Sequence, residues 1–125
     1  MSDSESILVH SILIISSLFI AVLAKLFRPE KPNNFAGYRT KRSLLSQHTW
    51  DFANEYAGNL IMWASLLTIV IEIFSYFTME ALTSVYVTAG VMTAGLFTAI
   101  AVTEYQLKHR FDKEGNPIQK TGDRY

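Results

Sequence analysis

The chain has 125 residues, half of them apolar, with eleven basic and eleven acidic side chains and no cysteine. That is the length of one ordinary soluble domain, yet the apolar residues collect in three long blocks instead of recurring with the period of a half-buried strand or helix. The missing cysteines exclude disulfides and thiolate metal sites.

The first block, Ile7 to Ala24, reads "ILVHSILIISSLFIAVLA", with His10 its only ionisable residue. At about 1.5 Å per helical residue such a block reaches roughly 27 Å, close to the thickness of a bilayer's hydrocarbon core. A secretory signal would open on basic residues. This one opens on the acidic "MSDSES" and is followed by "KLFRP", so it is expected to remain attached. The stretch "RPEKPNN", residues 28–34, carries two prolines that stop a helix and keep the chain extended. Gly37 marks a left-handed or closely packed backbone, and Ser43 or Ser46 can cap a new helix. Over residues 47–57, "QHTWDFANEYA", Trp50, Ala53, Asn54 and Ala57 share one face and Asp51 and Glu55 another. This predicts an interfacial amphipathic helix with Trp50 at headgroup depth.

The second block, Leu60 to Phe77, has Glu72 as its only charged residue, and Ala81 to Val102 has none. Core helices of a soluble bundle would turn a charged face to water, and these lack one. The predicted fold is therefore all-α: an integral membrane protein with spans over about residues 7–27, 58–78 and 81–103, a connector over 28–57 and a tail over 104–125. In the third span Gly90, Ala94 and Thr98 form one row of small residues, and Gly95, Ala99 and Thr103 an adjacent one. Small residues admit close helix approach, which predicts this helix at the centre of the bundle. All eleven cations flank or fill the connector or lie in the tail. By the positive-inside rule the amino terminus is expected outside and the carboxyl terminus in the cytoplasm.

The connector and the segment after the third span carry a pattern. Asn33, Gly37, Tyr38-Arg39-Thr40, Ser43, Trp50, Ala53-Asn54 and Gly58 are followed one hairpin later by Thr103-Glu104. In these residues the chain resembles the SdpI family of bacterial membrane proteins, over roughly residues 29–115. The resemblance implies a bacterial inner-membrane location. It also implies a role like that of the family's founder, a longer protein that protects its cell from a toxic secreted peptide and recruits a transcriptional repressor to the membrane. Expected partners are membrane lipids and a peptide toxin or regulatory protein, with a homo-oligomer left open. No nucleic acid, cofactor or metal is expected.

Arg39 and Thr40 after a glycine could form an anion site, since guanidinium grips phosphate or carboxylate bidentately. Lys41 and Arg42 read as cations facing anionic lipid, worth roughly 1 kcal/mol each. Glu104 emerges at a similar depth, which predicts an Arg39–Glu104 pair serving either to fasten the connector or to bind a ligand. Asn54, one turn from Trp50 and Gly58, is expected to hold the connector's backbone. The expected binding set is Asn33, Gly37, Arg39, Thr40, Trp50, Asn54 and Glu104.

A carboxylate in hydrocarbon costs about 2.5 to 3.5 kcal/mol on insertion scales, so Glu72 needs a partner. His10 falls near the same level, and an intramembrane His10–Glu72 pair is predicted, with Tyr86 or Thr88 as further partners. It is read as a fixed structural contact or a proton-sensitive one. His10, His48 and His109 show no metal-ligand spacing, and no nucleotide loop or serine elbow is present. Two other classes stay open: an accessory subunit of a larger membrane complex, and a membrane enzyme acting on lipid or peptide through Arg39 and Glu104.

Overall fold

The structure, a computed structural model, describes residues 1–119. Three helices make up almost three quarters of it: α1, Asp3–Leu26; α2, Gln47–Thr78; and α3, Ala81–Arg110. Helix α1 starts ahead of its apolar run because Ser2 and Glu5 form a reciprocal capping box, with the Glu5 carboxylate 2.8 Å from the Ser2 amide. It ends at the extended Phe27, before Arg28-Pro29. Helix α2 is capped by Ser46, whose amide donates to Thr49 Oγ1 while its own Oγ accepts from the Thr49 amide. At about 1.5 Å per residue its 32 residues exceed a hydrocarbon core of about 30 Å by more than half, so its first turns stand clear of the apolar run. Residues 47–57 are those first turns. They form no separate helix, and α2 runs through Gly58 without a break.

The central helix is α2 and not α3, because α1 and α3 each pack along α2 and scarcely meet each other. The reason lies in which small residues find a neighbour. A Cβ at Gly95 would stand 2.9 Å from Ala64 Cβ, whereas none of the described atoms lies within 4 Å of one at Gly90. The row of Gly95, Ala99 and Thr103 faces α2, and Gly90, Ala94 and Thr98 face outward. On the other flank a Cβ at Gly58 would sit 2.7 Å from the Ala24 carbonyl oxygen, so α1 and α2 cross in near backbone contact there. Arg28 Nη2 donates to Asn59 Oδ1 at 2.8 Å beside this crossing.

What is buried between the helices is small or polar. Ser6, His10, Ser17 and Ala21 of α1 meet α2, while Ser65, Thr68, Glu72 and Ser75 of α2 face inward with Ser84, Thr88 and Thr103 of α3. Large apolar side chains such as Phe19, Trp63, Phe74 and Phe97 point outward and are more than half exposed. Water would reverse this order, since an exposed apolar patch of such extent drives association. Hydrocarbon favours it: lipid satisfies the large side chains, and close packing and hydrogen bonds hold the helices. All three helices are long and apolar enough to cross a membrane.

Candidate functional site

Helix α2 carries the connector on its first turns. Trp50 is fully buried and donates its indole N–H to the Pro29 carbonyl at 2.7 Å. It is therefore covered by the connector, because residues 29–37 fold back over its ring. Gly37 adopts φ +98°, a conformation that L side chains rarely take, and a Cβ there would lie 3.2 Å from the Trp50 ring and 2.7 Å from Asn54 Oδ1. The close approach lets Asn54 Oδ1 accept the Tyr38 amide at 2.7 Å while its Nδ2 donates to the Trp50 carbonyl at 3.0 Å. Asn54 thus ties the connector's backbone to α2 from a buried position.

Beyond Tyr38 the chain turns on two hydroxyls. The Thr40 amide donates to Ser43 Oγ at 2.7 Å and the Ser43 amide to Thr40 Oγ1 at 3.2 Å. Ser43 is fully buried, and its carbonyl accepts from Thr49 Oγ1 at 3.1 Å. Asn33 does a different job: its Oδ1 accepts the Phe35 and Ala36 amides, both at 2.8 Å, and builds its own turn apart from the Trp50–Asn54 face.

The expected Arg39–Glu104 pair does not form. Glu104 accepts instead from the Tyr38 hydroxyl at 2.8 Å and lies 3.5 Å from Arg42 Nη1. The cause is local: neighbours in a non-helical chain point to opposite sides, so Tyr38 reaches α3 while Arg39 turns outward, and the Thr40–Ser43 turn brings Arg42 back. Arg39 donates from Nη1 to the Asn34 carbonyl and remains exposed. The Arg42–Glu104 pair is partly solvated and worth about 0 to 1 kcal/mol. Tyr38 stands in the aromatic-Arg-Thr motif, and it is this aromatic, not the cation beside it, that reaches Glu104.

Burial, and then the carboxylate of Glu104, push the Tyr38 phenol well above its ordinary range. A raised phenol favours the neutral folded form, so its contribution is complete below the unfolded value of about 10 and fades only as pH climbs through the folded value. Absorbance titration should accordingly show one tyrosine ionising after the others, and Tyr38→Phe should remove that last step. The same variant should lose about 1.5 kcal/mol, the low end for a hydrogen bond to a charged group, because Glu104 is part solvated. Unfolding in graded denaturing detergent measures it.

Between the end of α1, the connector and α2 lies a groove of about 390 Å³. Leu23, Phe27, Ile61 and Ile100 give it an apolar floor, and Tyr38, Arg39 and Thr40 form its polar edge. Gly37 and Asn54 also line it. Of the seven residues expected at the site, the structure gathers Gly37, Arg39, Thr40 and Asn54 on the groove. Trp50 lies beneath it, Glu104 joins through Tyr38, and Asn33 stands apart.

At the far end of the bundle His10 Nε2 lies 3.8 Å from Glu72 Oε1, both side chains nearly wholly buried. Thr88 Oγ1 donates to Glu72 Oε2. Tyr86 is 69% exposed and takes no part. Ser75 and Ser84 Oγ atoms meet at 2.7 Å just beyond.

Three apolar-faced helices around a polar seam, with one end carrying the structured connector, define a polytopic helical membrane protein. The sequence model of the SdpI/YfhL protein family matches residues 30–103, and the chain belongs to that family. Among curated proteins it is similar to the "Uncharacterized protein YfhL" of Bacillus subtilis (strain 168), 38% identical over 50 residues, which are 40% of this chain and 46% of that relative. The match thus spans about half of the relative's length. No solved structure matches the chain.

Proposed function

We propose that this protein is an immunity or sensing module of the SdpI/YfhL family, which binds an amphipathic ligand at the connector groove. The observation that carries the reading is a guanidinium held open above an apolar floor. Asn54, Trp50 and Ser43 fix the connector, yet among the described residues the one cation on the groove's edge, Arg39, spends only a single bond, on Asn34. Its remaining N–H groups suit a phosphate or carboxylate, and the floor suits an acyl chain or apolar peptide side chain. A lipid headgroup and a peptide carboxylate share that chemistry.

The module sits in the bacterial inner membrane with the groove on the cytoplasmic side. Support comes from charge. The helix pairing places every described lysine and arginine at the connector end, while Asp3, Glu5 and Glu80 occupy the other. Cytoplasmic ends collect cations.

Native mass spectrometry of protein extracted with its own lipids tests the reading. A retained lipid or peptide is expected, and Arg39→Ala should weaken it about ten- to hundred-fold, as loss of a charge-assisted hydrogen bond of roughly 1.5 to 3 kcal/mol implies. Arg39 is exposed, so the helices should be untouched. Identical retention by wild type and Arg39→Ala would sink the proposal, and the mass of the adduct separates lipid from peptide.

A further inference from the structure

Asn33 and the turn it builds stand outside the groove, and their geometry gives them a task of their own. Asn33 Oδ1 accepts the Phe35 and Ala36 amides, and its Nδ2 donates to the Lys31 carbonyl at 3.1 Å. One side chain thereby holds Lys31 and Phe35 in a single turn. What the turn presents is Phe35, 90% exposed, the highest value of any large apolar side chain among the described residues. In water a preorganised turn gains nothing by displaying a phenyl ring.

The height of the turn follows from the packing around it. A Cβ at Gly58 would touch the Ala24 carbonyl oxygen, so these residues lie level on α2 and α1. Phe27, where the apolar run of α1 ends, is three residues past Ala24, and Asn54 is four residues from Gly58 toward the same end. At about 1.5 Å per residue the two differ in height by only about 1.5 Å. Asn54 accepts the Tyr38 amide, and the Tyr38 hydroxyl reaches the Ile100 carbonyl, inside the apolar run of α3, at 3.4 Å. The segment before Tyr38 is pinned again one helical turn away, by the Trp50 bond to Pro29. The turn at 33–36 therefore stands beside the ends of the apolar blocks, at headgroup depth.

Its surroundings match that depth. The segment covers the flank of a membrane-crossing helix, so its outer side faces the surrounding leaflet. Trp50 is enclosed beneath it, and the aromatic ring left facing out is Phe35. Leu26 and Phe27 at the end of α1 are exposed as well and continue the lipid-facing surface toward the connector. Residues 25–46 carry six cations against one carboxylate, Glu30, a balance that anionic headgroups attract.

We propose that the 33–36 turn is a membrane-interface anchor: Phe35 inserts among the headgroups and upper acyl carbons of the leaflet at the connector end, while Lys25 and Lys31 meet lipid phosphates. An aromatic ring suits this layer, which is apolar on one side and wet on the other. The ring fixes the connector's depth against the leaflet, whatever the groove contains.

The absence of cysteine makes the test direct, because Phe35→Cys, Leu18→Cys and Glu114→Cys each take a single nitroxide label in the full chain. Leu18 is exposed within the first span and Glu114 is exposed beyond the end of α3. In nanodiscs of phosphatidylcholine and phosphatidylglycerol, electron paramagnetic resonance measures collisions with oxygen, which concentrates in lipid, and with a water-soluble nickel chelate. The oxygen-to-nickel ratio at position 35 should lie several-fold above that at 114, toward that at 18. Unlabelled protein gives a second reading: nuclear Overhauser cross-peaks should join ring protons to lipid glycerol and acyl protons, and Phe35→Leu should remove them. In the labelled Phe35→Cys chain, Asn33→Ala should bring the ratio down toward that at 114, and an unchanged ratio would overturn the turn's part in the anchor. A label at 35 as open to the chelate as that at 114 would overturn the anchor itself. So would one shielded from both reagents or broadened by the label of a second copy, since protein would then cover the ring.

Discussion

Trp50→Ala should cost about 3 to 5 kcal/mol, the range for truncating a buried aromatic, and should release the connector as a unit. The indole is fully buried, lies within 3.2 Å of where a Gly37 side chain would begin, and bonds the Pro29 carbonyl. Its removal leaves a void beneath residues 29–37 and an unpaired carbonyl above it. The α2 helix itself should persist, because its cap at Ser46 and its span do not depend on the ring. Two measurements check this. Unfolding in graded denaturing detergent gives the free energy, and limited trypsin digestion should show new cleavage after Arg39 and Lys41. Trp50→Phe separates the two contributions: it retains most of the packing and loses the N–H bond, so about 1 kcal/mol is expected. If Trp50→Ala left the connector as protected as in wild type, the ring would not be what holds it.

Gly58→Ala should destabilise by about 1 to 3 kcal/mol, the cost of overpacking, although alanine is ordinarily the better helix former. Its new methyl would stand 2.7 Å from the Ala24 carbonyl oxygen. That oxygen belongs to helix backbone and cannot swing aside as a side chain would, so α1 and α2 must separate. The groove floor, to which Leu23, Ala24 and Gly58 all contribute, changes shape with them. The adduct expected at Arg39 should weaken in parallel. Gly90→Ala is the matched control: it is also a helical glycine, but with none of the described atoms within 4 Å of the added carbon. Its effect should stay within about 0.5 kcal/mol, as for a change outside any packed contact. Similar losses at both positions would place the α1–α2 crossing elsewhere.

The helices were legible in the chain because the signals that specify them are local. A block of 18 apolar residues with at most one ionisable group has few alternatives to a span, and a capping serine needs only its own first turn. The family could likewise be read from the connector motif. The His10–Glu72 contact was also within reach, since a fixed helical rise converts residue number into depth and a carboxylate in hydrocarbon requires company.

Depth is nevertheless one coordinate of three. Arg39 and Glu104 share a level and do not meet, because side-chain direction in the connector follows from the left-handed turn at Gly37 and the Thr40–Ser43 turn, each stabilised by residues far away or a few positions on. The two small-residue rows of α3 are equivalent by pattern. Only Ala64 on α2 distinguishes the row that packs from the row that faces out, and with it the choice of α2 over α3 as the central helix. Trp50 has the composition of an interfacial anchor, and its burial came from a segment 13 to 21 positions earlier folding back over it. Hydropathy and turn chemistry, acting over a few residues, determined that this chain is a helical membrane protein with one structured connector. Which polar groups meet, and which line the groove, was decided by helix crossings and chain reversals, where contacts distant in sequence compete for the same space.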